Sequence, residues 1–425
     1  MRKFLLIVIW SIILTVTVSA CPLPGYFKTH DEPSVTLKVM TIHQRSFKFE
    51  SILSEKFPSI QFQFVHVIPP SYSADQRSFY DDPERIKNMI VEEKADLYYN
   101  FEPHLFTDKI NYVNLAPLIQ NEGMELNAIQ SGMYDLSQKV ESVSPTFDCD
   151  VLFVNKQELR EHGIEWPTGG PVTWERFRDI AAMWRAYNPG QVAYQLTYSY
   201  WDDLLQSTGA MLGLSIRDKD GDSTLHEPIW RELASQLLQD KRDGLFKKRN
   251  DGAQHSWNRV PLHIASASAS SDLLSAKTSG SSWTMMKAPV LSGKQAGCYP
   301  AAETFSIDRE SDQIEEAWKV ISYLLSEEAA PKIAGTMGIE GFVPYLEYEK
   351  ESLGGLSLDA LMPPFVTVNK PPAEQNDLQT ANSQEQNELN DTIATQLLAV
   401  ENGKTHLDNA WAVIEKEAKR LNQAN

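Results

Sequence analysis

The sequence is poor in cysteine and in basic side chains. Among 425 residues there are three cysteines, and 39 Lys and Arg residues are outnumbered by 57 Asp and Glu residues, which gives a net charge of −18. Phosphates and anionic lipid surfaces are bound chiefly by Lys and Arg. The composition therefore argues against nucleic acid and against broad adhesion to anionic lipid, and favours an acidic, soluble surface.

Common catalytic motifs are also missing. The sequence has no Gly-x-Ser-x-Gly, no His-Glu-x-x-His and no phosphate-binding glycine-rich loop, so the usual signatures of serine hydrolases, zinc proteases and nucleotide-binding enzymes are absent. Nine histidines are scattered without metal-ligand spacing on a helix, and we expect no metal and no cofactor. Acidic residues are too numerous to exclude a glycosidase carboxylate pair by counting, but none stands out.

The most apolar run of the chain is at its N-terminus. Arg2 and Lys3 precede the mostly apolar run 4–18, which is the order of a secretory signal and is somewhat short of the ~20 residues that span a bilayer. Val18-Ser-Ala-Cys21 then resembles the lipobox of bacterial lipoproteins, in which the cysteine is lipidated; an accidental cysteine after an ordinary cleavage site is the alternative. We expect a signal peptide over 1–20 and a lipidated tether over 21–34.

The other two cysteines are Cys149 and Cys298. An extracellular compartment would allow them to form a disulfide if they meet in space. The sequence does not show that they meet, and two buried thiols are the alternative.

The first part of the body alternates strands and helices. Strand patterns over 35–42, 60–65 and 96–100 enclose two helical patterns, and this order favours a parallel sheet with helices on both faces. Ligands of such sheets bind at the carboxyl ends of the strands. His43, Tyr99 and Asn100 are therefore candidate ligand residues.

The rest of the chain continues in the same α/β style. A strand is predicted over 151–154, Thr173 is a candidate N-cap of the next helix, and another cap is expected at Ser311 or Asp312. Helical patterns at 389–400 and 407–421 close the chain. We find no internal repeat.

An acidic segment begins at Asp218. Asp218, Asp220 and Asp222 occupy positions 1, 3 and 5 of a calcium-loop pattern, but position 6 is Ser223 and position 12 is Ile229, where that loop needs Gly and Glu. A surface Asp-Gly turn is the favoured reading, with calcium as the alternative.

An aromatic cluster with neighbouring acids lies at Tyr198-Ser-Tyr-Trp201-Asp-Asp203. Aromatic faces stack on sugar rings and carboxylates accept hydroxyl hydrogen bonds, so Tyr198 and Trp201 are candidates for binding a polyol. The alternative is that Trp201 packs beneath the following helix.

Several segments, in order, resemble the bacterial extracellular solute-binding proteins of ABC importers, in the sugar-type family related to maltose-binding protein. The most specific match is Val151-Leu-Phe-Val-Asn-Lys-Gln-Glu-Leu159 with Gly163-Ile and Pro171-Val-Thr-Trp-Glu175. Further matches lie at 95–118, 307–328 and 402–410. Departures occur at 261–265 and 301–303, which border the cleft in the family, so the resemblance leaves the identity of the ligand open.

The resemblance implies an α/β, two-lobe, periplasmic-binding-protein-like (Venus flytrap) fold with C-terminal helices. We expect lobe 1 to begin with 35–145, lobe 2 with hinge crossings to occupy 146–308, and a helical remainder over 309–425 to return to both lobes. Ligand would bind between the lobes. The expected ligand residues, each past a strand end or in a segment that borders the cleft in the family, are His43, Tyr99, Asn100, Tyr198, Trp201, Ser268, Trp283 and Glu303.

The function implied is a receptor that closes around a sugar or related polar solute and delivers it to an ABC permease. It would be a monomer, held by the lipid on Cys21 at the outer face of the cell membrane. A surface sensor for a membrane signalling protein and a glycoside hydrolase are the alternatives, the first because the same fold would serve it and the second because carboxylates are abundant.

Overall fold

The structure is a computed structural model. It describes residues 35–41, 48–67, 83–101, 110–121, 124, 126–168, 170–196, 200–218, 222–248, 260–269, 283–291, 293–294, 298–301, 303–336, 338–339, 341–348 and 384–424. The predicted lipidation site Cys21 and the candidates His43 and Tyr198 lie outside these residues. Within the described part of the chain, no helix has the length and apolar character needed to cross a membrane.

The first lobe is built on a parallel sheet. Its elements in chain order are β1 (Val35–Thr41), α1 (Glu50–Lys56), β2 (Ile60–His66), α2 (Pro83–Glu93) and β3 (Leu97–Tyr99). β1 pairs in parallel with both β2 and β3. The sequence prediction of a parallel β-α-β-α-β unit is confirmed.

The chain then passes to a second lobe through a long strand. α3 (Ala116–Asn121) and α4 (Ala128–Met133) precede β4 (Phe147–Asn155). The elements that follow are α5 (Lys156–Glu161), α6 (Trp174–Tyr187), β5 (Tyr194–Gln195), α7 (Trp201–Met211), α8 (Pro228–Arg242), β6 (Leu262–Ser266), β7 (Trp283–Lys287) and β8 (Cys298–Pro300). The second sheet has the order β5-β6-β4-β7 among the described strands, and β8 pairs with the start of β4.

The remaining elements return to both sheets. β9 (Phe305–Ile307) pairs antiparallel with β3 in the first sheet. α9 (Ile314–Leu324) and α10 (Ala330–Ala334) bury their apolar residues in the core cluster of the first sheet, which also includes Val151, Phe153 and Met285 of the second sheet. α11 (Gln384–Glu401) and α12 (Leu407–Ala424) bury theirs in the second-lobe core. The C-terminal helical patterns of the sequence are therefore confirmed.

Helix starts follow the capping chemistry in part. The Thr173 side chain accepts a hydrogen bond from the Arg176 N–H at 3.1 Å, which confirms the predicted cap of α6. At α9 the N-cap is Gln313 rather than Ser311 or Asp312. Ser311 lies two residues before this N-cap, and its hydroxyl accepts from the Gln313 N–H at 2.9 Å.

Cys149 and Cys298 form a disulfide. The two residues are register partners on the antiparallel pair β4 and β8, with their Cα atoms 4.2 Å apart. The bond closes a loop with a sequence separation of 149. The alternative of two free thiols is thereby excluded.

Gly209, in the interior of α7, lies against Trp230 of α8, and its substitution tests how closely the two helices pack. A Cβ at this position would lie 2.3 Å from Cζ3 of the buried Trp230. Alanine normally stabilises a helix by about 1 kcal/mol over glycine, but overpacking costs about 1–3 kcal/mol, so we expect Gly209→Ala to lower the free energy of unfolding. Urea unfolding followed by tryptophan fluorescence measures it.

The matched control is Ser207→Ala in the same helix, at a position that is only half-buried. It should be neutral or slightly stabilising, because alanine has the higher helix propensity. A Gly209→Ala variant as stable as the Ser207→Ala variant would contradict the close packing of α7 on Trp230.

Candidate functional site

Sheet topology places polar residues at one edge of the first lobe. β1, β2 and β3 run in parallel, so their carboxyl ends at Thr41, His66 and Tyr99 share an edge. β9 is antiparallel and therefore begins at the same edge with Phe305. This first edge is where an open α/β sheet binds ligands.

A buried ion pair lies at the first edge. Glu303 is 1% exposed, and Lys48, with an 11% exposed side chain, places Nζ 2.5 Å from Glu303 Oε1. The Tyr99 hydroxyl donates a hydrogen bond to the other carboxylate oxygen of Glu303. A carboxylate removed from water in this way is stabilised only while these donors remain. The structure thus brings together two of the predicted site residues, Tyr99 and Glu303, and adds Lys48.

Asn100 follows β3 in a left-handed backbone conformation, with φ of 59°. Its N–H donates to the Thr304 carbonyl at 2.8 Å, which fixes the residue beside Glu303. Within the described residues, the buried Asn100 Oδ1 and the buried Thr41 Oγ1 have no hydrogen-bond partner. Unpaired buried polar atoms are costly, so Asn100 Oδ1 is suited to accept a hydrogen bond from a ligand, and the Thr41 hydroxyl is suited to donate or accept one.

The second lobe has a corresponding edge. β5 is parallel to β6, and β4 is antiparallel to β6. The end of β6 at Ser266 therefore lies beside the start of the β4 segment at Asp150, which is its register partner. β5 ends at Gln195, whose register partner His263 lies three residues before Ser266 in β6.

Asp148 is the buried carboxylate of the second edge. It accepts hydrogen bonds from the hydroxyls of Ser266 and Ser268 and from the backbone N–H groups of Ser268 and Cys149. Burial raises the pKa of Asp148 even though these four donors lower it. The predicted site residue Ser268 is thus held against Asp148, which the sequence reasoning did not identify.

A short ribbon joins the two edges. Residues 147–149 pair antiparallel with 298–300 at the second lobe, and Val143 is bridged antiparallel to Phe305 at the first lobe. Glu303 and Asp148 both lie on this ribbon. The two polar edges are therefore at its two ends.

The aromatic cluster divides into a buried and an exposed residue. Trp201 is 2% exposed, donates its Nε1–H to Glu401 Oε2 at 2.7 Å, and has Lys248 Nζ 5.1 Å from its ring centroid. Trp201 thus packs in the second-lobe core, as the alternative reading held. The preceding Tyr200, the N-cap residue of α7, is 43% exposed.

Tyr200 is not among the residues predicted from the sequence. It lies between the predicted residues Tyr198 and Trp201 and directly precedes α7.

Trp283 lies away from the second edge. It starts β7 opposite Asn155, five residues along β4 from the Asp150–Ser266 pair, which is about 16 Å along a strand. Its ring contacts His263 with centroids 5.2 Å apart. Its role in ligand binding stays a prediction, and the sheet register does not bring it to Ser268.

The acidic segment at Asp218 has the features of a turn. Arg217 and Ser223 form an antiparallel bridge, and the Asp218 carboxylate accepts from the Asp222 N–H at 3.0 Å. Residues 219–221 are not described. No group of His, Cys, Asp and Glu that could hold a metal ion occurs in the described ranges.

Comparisons with known proteins give the fold. No protein-family model and no curated protein sequence matches the chain. Solved structures match over nearly its whole length, among them the ABC substrate-binding protein Lmo0181 from Listeria monocytogenes in complex with cycloalternan. That structure has a TM-score of 0.59 and 16% identity, covering 92% of this chain and 99% of the other.

Two further structures agree. Maltose-bound MalE3 of T. maritima has a TM-score of 0.60 and 15% identity over 91% of this chain and 100% of the other. The sugar-binding protein MalE from Xanthomonas citri has a TM-score of 0.62 and 14% identity over 92% and 98%. The chain has the two-lobe fold of ABC solute-binding proteins. The fold class expected from the sequence is confirmed.

Lys48 and Glu303 allow a test of the first edge. Lys48→Met should lower the free energy of unfolding by about 3 kcal/mol, because it leaves a buried carboxylate without its cation. Adding Glu303→Gln should restore part of this loss, so a double-mutant cycle in urea should give a coupling above about 1 kcal/mol.

The control for this cycle is Lys332→Met. Lys332 pairs with Glu55 at the surface, with side chains 36% and 71% exposed, and such pairs contribute about 0–1 kcal/mol. Equal losses for Lys48→Met and Lys332→Met would show that the Lys48–Glu303 pair is not buried.

Asp202 provides a pH test beside Tyr200. Burial, with the nearby Asp203 and Asp391, raises the pKa of Asp202 to about 6, and its Oδ1 is buried without a hydrogen-bond partner in the described structure. The folded state then holds its proton more tightly than the unfolded state, so stability from this group falls as the pH rises from about 4 to about 6.

Asp202→Asn should therefore raise the free energy of unfolding at pH 7.5 by about 1–2 kcal/mol and have little effect near pH 4. Urea unfolding at both pH values measures this. Asp408→Asn, at an exposed first-turn aspartate of α12, is the control. A loss of stability in Asp202→Asn at pH 7.5 would contradict the assignment and show that the charge at the helix N-terminus dominates.

Proposed function

We propose that this protein is an extracellular receptor that captures a sugar or oligosaccharide between its lobes and delivers it to an ABC import permease. The observation that carries the proposal is the pairing of two polar sheet edges across a short interlobe ribbon, in a fold shared over more than 90% of both chains with proteins solved with cycloalternan and maltose. Sequence identity of 14–16% leaves the ligand itself to experiment.

The first edge fits a neutral ligand rich in hydroxyl groups. Lys48 compensates the charge of Glu303, so this pair places no uncompensated buried charge at the first edge. Asn100 Oδ1 and Thr41 Oγ1 supply hydrogen-bonding atoms that lack partners in the described structure. Hydroxyl groups both donate and accept, and therefore match such a set.

The start of α7 supplies the aromatic surface. Tyr200 exposes its side chain, and the next residue, Trp201, is fixed by Glu401 and Lys248. An exposed tyrosine ring can stack on the apolar face of a sugar ring. Tyr200 replaces Trp201 in our proposed site, while His43, Tyr198, Ser268 and Trp283 stay predicted members.

Closure of the lobes on the ligand provides the signal for transport. A ligand that contacts both edges binds the closed state more tightly than the open one and shifts the population toward it. The closed lobes would present a joint surface that the permease recognises. The protein would bind its ligand without cleaving it.

The anchor is the remaining part of the proposal. The lipobox-like Val18-Ser-Ala-Cys21 would attach acyl chains to Cys21 and hold the receptor at the outer face of the membrane. Cys21→Ala should then release the protein from the membrane fraction. The mass of the variant shows whether its signal peptide has been removed. A processed variant that stays in the membrane fraction would contradict lipidation at Cys21.

The direct test is a thermal-shift screen of residues 22–425 against mono- and oligosaccharides, amino acids, polyamines and metal ions. A ligand that binds only the folded state stabilises it by about 2.7 kcal/mol at a hundredfold excess over the Kd. A carbohydrate that raises the Tm and is recovered uncleaved supports the proposal. Recovery of cleaved sugar would show a glycoside hydrolase, and a shift only with another ligand class would reject the sugar assignment.

Tyr200→Ala tests the proposed stacking. With the carbohydrate found in the screen, it should raise the Kd about tenfold, because an aromatic contact contributes about 0.5–1.5 kcal/mol beyond its buried area. Isothermal titration calorimetry measures the change. Tyr187→Ala is the matched control, since Tyr187 is 64% exposed on α6 and contacts His162. Equal Kd values for both variants would remove Tyr200 from the site.

A further inference from the structure

The interlobe ribbon is fixed unevenly along its length. At its second-lobe end, Phe147, Asp148 and Cys149 pair in continuous register with Pro300, Tyr299 and Cys298. Toward the first lobe the pairing consists of the Ala301 N–H to the Thr146 carbonyl at 3.0 Å and the two hydrogen bonds between Val143 and Phe305. Between these points, the Ser144 N–H donates to the Tyr134 hydroxyl and the Thr304 carbonyl accepts from the Asn100 N–H, so both residues bond to the first lobe.

The disulfide lies at the regular, second-lobe end. Cys149 and Cys298 are 4% and 3% exposed and directly opposite each other. A covalent bond between register partners prevents the two strands from sliding or separating at that point. Without the disulfide, backbone pairing at three register positions would hold the two strands together at this end.

Asp148 attaches the same end of the ribbon to the second lobe. Between the paired residues Phe147 and Cys149, its carboxylate receives the hydroxyl hydrogen bonds of Ser266 and Ser268. Tyr299, its register partner, donates its hydroxyl hydrogen bond to Asp150 at 3.2 Å. Both strands of the ribbon are therefore bound to the second lobe by side chains as well as by the disulfide.

A third chain segment supports the middle of the ribbon. Phe342 exchanges two backbone hydrogen bonds with Phe147, at 2.9 and 2.8 Å. Gly341, with φ of +83°, approaches so closely that a Cβ there would lie 2.6 Å from the Phe147 carbonyl oxygen. This contact excludes a side chain and leaves little room for Phe147 to move.

We infer that the Cys149–Cys298 disulfide makes the second-lobe end of the ribbon one rigid unit with the second lobe, and so confines the interlobe movement to the first-lobe side of Thr146 and Ala301. The bending point then adjoins Glu303 and the first edge. A ligand bound at the first edge would act directly on the segment that bends. This inference rests on the interlobe movement of the proposed function, but it concerns the ligand-free chain.

Amide hydrogen exchange of the full chain without ligand tests the inference. In the oxidised protein, the amides of 147–150 and 298–299 should exchange as slowly as those of β4 at 151–154, since all belong to one unit. In Cys149→Ala/Cys298→Ala, the ribbon amides should exchange at least about tenfold faster than in the oxidised protein, while those of 151–154 keep their protection relative to global unfolding.

The control separates a local effect from a general loss of stability. Ile414→Ala removes a fully buried side chain of α12 in the second-lobe core, far along the chain from the ribbon, and should lower global stability without selective exchange at the ribbon. If the double variant does not fold, the wild-type disulfide can be reduced with dithiothreitol, which gives two protein thiols and the cyclic oxidised reagent, and the same amides compared.

Two results would overturn the inference. One is that loss of the disulfide leaves the amide exchange rates of the ribbon unchanged relative to those of the rest of the second lobe. The other is an oxidised protein in which 147–150 already exchange faster than 151–154. Neither depends on finding a ligand, so failure of the sugar assignment in the thermal-shift screen and failure of this inference are distinguishable.

Discussion

Strand β4 belongs to two parts of the molecule, and the rest of the structure depends on how it is shared. Its first three residues pair with β8, and the following residues pair with β6 and β7 in the second sheet. Because a strand has one backbone direction and a fixed side-chain alternation, this sharing sets the register of both lobes relative to the ribbon. Asp148 and Glu303 reach the two edges for that reason.

The same constraint explains where polar groups are buried. Glu303 and Asp148 lie on the two strands of the ribbon and are 1% and 7% exposed. Each is satisfied by a different means, Glu303 by the cation of Lys48 and Asp148 by hydroxyl and backbone donors. Such buried polar networks stabilise a structure only when their partners are complete. Both carboxylates are therefore held in place by groups of the protein itself.

The sequence predicted the local structure well because local structure follows from short-range patterns. Alternation over 35–42 and 60–65 and the Thr173 cap were enough to place β1, β2 and α6. The matches at 151–159 and 171–175 placed the fold class. By contrast, the start of α9 was not predicted correctly, since its N-cap is Gln313. Several polar residues follow one another there, and the sequence pattern does not determine at which of them the helix begins.

Long-range pairing could not be predicted in the same way. The disulfide joins residues 149 apart, and the Lys48–Glu303 pair joins residues 255 apart, and neither partner carries a local signal of the other. Among neighbouring aromatic residues, only the path of α7 decides that Trp201 is buried and Tyr200 exposed. Trp283 shows the converse, since its distance from Ser268 follows from the register of β4 and not from the sequence around it.

The central claim is that a carbohydrate binds between the two edges and closes the lobes. Small-angle X-ray scattering of the mature chain, with and without a carbohydrate that stabilises it, measures this most directly. We predict a smaller radius of gyration and a shorter maximum dimension in the presence of the carbohydrate. If the ligand-free protein is open and saturating carbohydrate leaves its scattering curve unchanged, this result would contradict closure of the lobes as the mechanism.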